Sequence, residues 1–124
     1  MKNEMKIKKE NVYELKAKSI VEKGKIIVYT LMNDLNGKKL KGIKVNLYII
    51  NGVSPFLLMS KYSDENGKVE FLNIDNGNYR VIEIIDKKVY EKPTYIRWNE
   101  INISSYCKEE TIYIINKKRN LYKS

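Results

Sequence analysis

Along most of the chain, apolar and polar residues alternate with a period of two. "KIIVYTL" sets Ile26, Val28 and Thr30 on one face, and "IKVNLYII" sets Ile43, Val45, Leu47 and Ile49 against Lys44, Asn46 and Tyr48. A period of two predicts half-buried β-strands, because successive strand side chains point to opposite faces. Further strands are expected at "FLLMSKYS", at "KVEFLNI" with Val69 and Phe71 inward, at "GNYRVIEIID", once or twice within "TYIRWNEINIS", and at "TIYIINK". "NDLNGKKLKG", "NGVSP", "DENG" and "DNGN" interrupt these runs with turn residues, and Gly67 suits a positive φ. Roughly seven short strands, with turn signals about every ten residues, predict an all-β antiparallel sandwich.

"GNYRVIEIID" breaks the pattern with a glutamate inside its apolar run. Alternation groups Tyr79, Val81, Glu83 and Ile85 on one face and Arg80, Ile82, Ile84 and Asp86 on the other. If the face carrying Arg80 and Asp86 is outside, Glu83 points into the core. The other assignment turns Arg80 and Asp86 inward instead. An inward carboxyl needs a partner or must hold its proton. In the last strand, Asn116 shares a face with Ile112 and Ile114 and can supply that partner. A plainer reading places both polar groups near the rim of the sandwich, within reach of water.

Composition narrows the function classes. The 124 residues are enough for one domain, and a hydrophobic content of 43% argues against general disorder. Ten tyrosines and many isoleucines favour strands. The formal net charge of +9 comes almost wholly from lysines interspersed with acids. This reads as a solvated surface without a nucleic-acid partner, while attraction to an anionic cell-wall polymer stays open. The chain has one cysteine and no histidine, so an internal disulfide and a Cys–His nucleophile are excluded. Cys107 is expected to pack as a small hydrophobe, with an intermolecular disulfide as the other reading. No nucleophile–base pair is apparent, and neither enzymatic activity, a metal nor a cofactor is expected. No apolar run is long enough for a membrane span. The N-terminus lacks the apolar stretch of a signal peptide, and no wall-anchoring motif is seen.

Three other signals carry alternatives. "SDENGK" has fragments of a calcium loop but reads more simply as a turn. Tyr95, Trp98 and Tyr106 could form a surface for stacking on a carbohydrate or for a protein ligand. Residues 1–24 form a lysine-rich arm in which Met5 and Ile7, then Tyr13, Leu15 and Ala17, alternate. The arm is read as a strand donated to a neighbouring subunit, an extra strand on its own domain, or a solvated tail. Residues 119–124 form a basic tail.

The series "NGKKLKGIKVNLY", "SDENGKVEFLNIDNGNYRVIEI" and "TIYIINK" resembles the prealbumin-like, transthyretin-like B-type repeat domain of Gram-positive surface adhesins and pilins. The resemblance covers residues 25–118. It implies a buried lysine amine attacking an asparagine side-chain amide, with loss of ammonia and formation of an intramolecular isopeptide bond, assisted by a buried glutamate. Glu83 matches the glutamate and Asn116 the asparagine. The lysine is replaced, by this reading, at Thr30, and Lys25 lies at the wrong end of its strand and on the wrong face. No intramolecular isopeptide is therefore expected, and Glu83 and Asn116 are expected to persist as a hydrogen-bonded pair that includes Thr30. The resemblance further implies a non-enzymatic structural subunit of a bacterial surface layer, spore surface or fibrous appendage, self-associating or joined to other surface proteins. The alternative is an extracellular binding module acting through its loops.

Overall fold

The computed structural model describes residues 22–120. The alternating segments form eight strands. They are β1 (Gly24–Met32), β2 (Lys44–Ile50), β3 (Phe56–Tyr62), β4 (Lys68–Ile74), β5 (Gly77–Ile84), β6 (Thr94–Ile96), β7 (Glu100–Ile103) and β8 (Glu109–Asn116). There are eight rather than seven because 94–103 is split. Left-handed backbone at Arg97 and Trp98, with φ of 73° and 78°, carries the chain from β6 in one sheet to β7 in the other.

Two four-stranded sheets face each other, in the orders β4-β1-β8-β6 and β3-β2-β5-β7. All pairs are antiparallel except β1 with β8, which run parallel in the middle of the first sheet. This pairing joins the first and last strands of the domain, a long-range contact that local periodicity does not encode. The inward residues of both sheets make one core, including Ile26, Val28, Val45, Leu47, Val69, Phe71, Tyr79, Val81, Ile112 and Ile114. Removal of these side chains from water is the main driving force for the sandwich.

Polar contacts fasten the outside. Tyr29 and Tyr113 are register partners on β1 and β8, and their rings stack at 5.4 Å. Arg80 holds Glu100 across β5 and β7 with hydrogen bonds of 2.6 and 3.0 Å. The 63–68 segment is a plain turn. Asp64 Oδ1 accepts from the backbone N–H groups of Asn66 and Lys68, which lower its pKa. Gly67, with φ of 69°, packs so closely that a Cβ there would lie 2.7 Å from the Thr30 carbonyl oxygen. The turn is thereby pressed against β1.

Candidate functional site

Alternation along β5 places Tyr79, Val81 and Glu83 inward, with Glu83 only 5% exposed. On β8 the same periodicity buries Ile112, Ile114 and Asn116, the last completely. The two strands belong to opposite sheets, and their polar residues meet across the core. Asn116 Nδ2 donates to Glu83 Oε1 at 3.1 Å and, more weakly, to the Leu31 carbonyl at 3.4 Å. Tyr95 on β6 completes the site, because its hydroxyl accepts the Glu83 backbone N–H at 2.8 Å. β7 pairs with β5 only from Gly77 to Arg80, so the Glu83 amide lies beyond the ladder on that side. The Tyr95 phenol takes the place of a strand partner.

Burial dominates the electrostatics. Desolvation raises the Glu83 pKa to about 7, and the hydrogen bond from Asn116 offsets only part of that rise. Glu83 Oε2 and Asn116 Oδ1 are buried with no hydrogen-bond partner among the described residues. Both atoms are acceptors while the carboxyl is ionised. A proton on Oε2 creates a donor, and a neutral carboxyl beside a primary amide can donate to the amide oxygen while accepting from its nitrogen. Burial also raises the Tyr95 pKa, which keeps its phenol neutral. A cleft of about 570 Å³ beneath the 85–93 loop adjoins the site, with Glu83, Tyr90, Pro93, Tyr95 and Arg119 among its lining residues.

Thr30 is not part of this pair. In the parallel ladder it stands beside Ile114, while Met32 is the register partner of Asn116. Thr30 is fully buried, and its hydroxyl donates to the Leu40 carbonyl at 2.8 Å, with the Gly67 carbonyl at 3.3 Å. The position facing Asn116 is therefore Met32, the next residue of the same parity. Sequence reading missed it because the apolar alternation fades at "LMND", where the strand ends. No lysine occupies either position.

The three aromatic residues do not act alike. Tyr95 is half-buried against the core and engaged with Glu83, so it is not a surface stacking group. Trp98 and Tyr106 are 67% and 100% exposed. Cys107 is half-exposed rather than a core residue. Its thiol donates to Glu110 Oε2 at 2.9 Å, and that bond is the main cause of its raised pKa. Met5, Ile7, Tyr13, Leu15 and Ala17 lie outside the described residues. Among the described residues, no group of three or more acidic or cysteine side chains is placed to hold a metal ion, and no helix is long and apolar enough to cross a membrane.

A family profile described as the SpaA prealbumin-like fold domain matches residues 26–118. Among solved structures, the chain is similar to the full-length major pilin SpaD of Corynebacterium diphtheriae, with a TM-score of 0.60 and 16% identity over 78% of this chain and 30% of that one. It is also similar to the TIE protein of Bacillus anthracis, with a TM-score of 0.59 and 19% identity over 77% of this chain and 17% of that one. The major pilin subunit BcpA of Bacillus cereus aligns with a TM-score of 0.54 and 23% identity over 77% of this chain and 30% of that one. At these identities the likeness is one of fold. The chain thus spans only 30% of the two pilins and 17% of the TIE protein. Comparison with curated protein sequences gave no match.

Proposed function

The chain belongs to the SpaA prealbumin-like fold family, and from that premise we propose that it is a non-enzymatic structural subunit of a bacterial surface assembly. The observation that carries the proposal is the likeness of more than three-quarters of the chain to one module of the major pilins SpaD and BcpA. Residues 25–118 serve as that module, flanked by the arm 1–24 and the tail 119–124. The assembly is a fibrous appendage or a layer on the cell or spore surface, built through the edges of the sandwich.

The chemistry of the interior fits a structural role. Glu83 and Asn116 link the two sheets by a hydrogen bond, with Met32 where an amine would have to stand for the covalent link that the family resemblance implies. This supports a module closed without a crosslink between β1 and β8. Cys107, the one thiol of the sequence, donates to Glu110 with its pKa raised, which keeps it protonated and favours a scaffold over an enzyme.

Electron microscopy of the purified chain, with immunogold labelling of the producing cells, tests the proposal. Filaments or sheets and surface label are expected. A chain that stays monomeric at every concentration and is not found on a surface would overturn it.

A further inference from the structure

β3 is the outer strand of its sheet, and its seven residues "FLLMSKY" are an unusual edge. Phe56, Leu57, Leu58 and Tyr62 are 62%, 49%, 41% and 64% exposed. Phe56 is paired with Ile49, which packs on the core, so Phe56 lies on the core-facing side of the sheet. It is uncovered because no strand of the described residues lies beyond β3. Leu57, paired with Tyr48, is uncovered on the other face, and the register shift between them and the Leu47–Met59 pair leaves Leu58 as an extra residue. Among the described residues, β3 thus exposes apolar surface on both faces along with one unpaired side of its backbone.

The other edges are better protected. β6 has three residues and β7 four, too short to template much pairing. The backbone of β4 is engaged at Glu70, whose carbonyl accepts from Lys61 Nζ at 2.8 Å. Lys61 is the only charged residue of β3, and it is turned toward β4 rather than guarding its own edge. Soluble proteins usually blunt such edges with charge, proline or a covering segment, so a long apolar edge marks a place for an added strand.

We propose that residues 11–17 of a second copy of this chain add as a strand to the free edge of β3. The segment "NVYELKA" has seven residues, as β3 has. Its Tyr13, Leu15 and Ala17 share one face and would continue the apolar layer past Phe56 and Met59. Glu14 and Lys16 would then face solvent beside Ser60 and Tyr62. Main-chain hydrogen bonds supply the attraction, and the alternating side chains set the register.

The arm's root stands at one end of the sandwich, from which the edge of an abutting copy is within reach. The Glu22 carbonyl accepts from Lys108 Nζ at 2.8 Å, Lys108 Nζ also donates to Asn76 Oδ1 at 2.7 Å, and Lys23 pairs with Asp75, so the chain leaves β1 beside the β4–β5 turn. β3 lies in the facing sheet, on the side of the sandwich where β4 is the outer strand. Leading outward, residues 18–21 span roughly 13 Å when extended, enough to bridge abutting subunits. Each copy donates one arm and accepts another, and a heterologous contact of this kind repeats into an open filament. The inference rests on the proposed subunit role and specifies its contact.

Two variants test it. One lacks residues 1–20 and keeps the acceptor edge. The other carries Phe56→Lys and Leu58→Lys and keeps the donor arm. Circular dichroism verifies that both fold, as expected for lysine at the exposed positions 56 and 58. Each alone should raise the concentration for assembly by about tenfold or more, as loss of a main contact requires. Mixed at equal concentration, they should form a one-to-one dimer by light scattering and grow no further. Wild-type-like assembly of the truncated chain, or a mixture that stays monomeric, would overturn the donated strand and leave the subunit role standing. A wild-type chain that never assembles would overturn both.

Discussion

The Asn116 amide on β8 donates a 3.1 Å hydrogen bond to the carboxyl of Glu83 on β5, joining the two sheets through their shared core. Neither side chain is placed by its neighbours in sequence alone. Glu83 is inward because β5 alternates and its other face bears Arg80, which is held outside by Glu100. Asn116 is inward because it follows Ile112 and Ile114 at the same parity. Two acceptors, Glu83 Oε2 and Asn116 Oδ1, are left unpaired among the described residues. That imbalance, together with desolvation, favours a proton on the carboxyl.

Stability should therefore fall as pH rises from about 4.5 toward 7. The folded-state pKa of about 7 lies above the ordinary value of 4.5, so the native state holds a proton that the unfolded state releases. The resulting stability is fully present below the unfolded pKa and is lost as pH rises to the folded one. A shift of this size corresponds to about 3 kcal/mol. Glu83→Gln should remove this dependence and make the protein more stable than wild type at pH 8, because the glutamine amide can both donate to and accept from Asn116. Denaturant unfolding of both proteins at pH 4.5 and 8 measures the difference. Parallel pH responses would contradict the assignment.

Asn116→Ala should act in the opposite sense. Glu83 Oε1 loses its donor, and a cavity replaces the amide. We expect a loss of about 2 kcal/mol, the usual cost of stranding a buried polar group. The Glu83 pKa should rise above 7, since the Asn116 hydrogen bond is the contribution that lowers it. Carbon-detected NMR titration of the glutamate carboxyl reads that shift directly, and a fall would contradict the geometry.

Thr30 belongs to a separate contact. Its hydroxyl ties β1 to the Leu40 carbonyl and the tight turn at Gly67. Thr30→Val should cost about 1–2 kcal/mol by leaving that buried carbonyl with one bond fewer. Combined with Glu83→Gln, its effect should add within about 0.5 kcal/mol, because the groups share no partner. Strong coupling in the double variant would return Thr30 to the Glu83–Asn116 pair.

Much of this architecture was legible in the alternation of single segments. "KVEFLNI" assigned its inward residues correctly, while "GNYRVIEI" left two faces open, and the structure has the one that buries Glu83 and keeps Arg80 outside. The relations between segments were harder to read. The parallel register of β1 on β8 is set across the whole domain, and only that register identifies Met32 as the residue beside Asn116. Tyr95 lies on a three-residue strand, too short for a periodic signal. Its role arises because its phenol reaches the other sheet where β7 no longer covers β5. Cys107 looked apolar by residue type, but a tight turn between Ser104 and Cys107 exposes it to Glu110.

The account turns on β1 passing beside Asn116 with Met32, not an amine, at the point of contact. The intact mass of Met32→Lys, compared with wild type, tests this most directly. Wild type should have the mass of its sequence. The variant places an amine beside Asn116 and the neutral Glu83, and its mass should be lower by one ammonia, with a peptide joining residue 32 to Asn116. An unchanged mass in a folded Met32→Lys protein, or a wild-type mass already lower by one ammonia, would contradict the account.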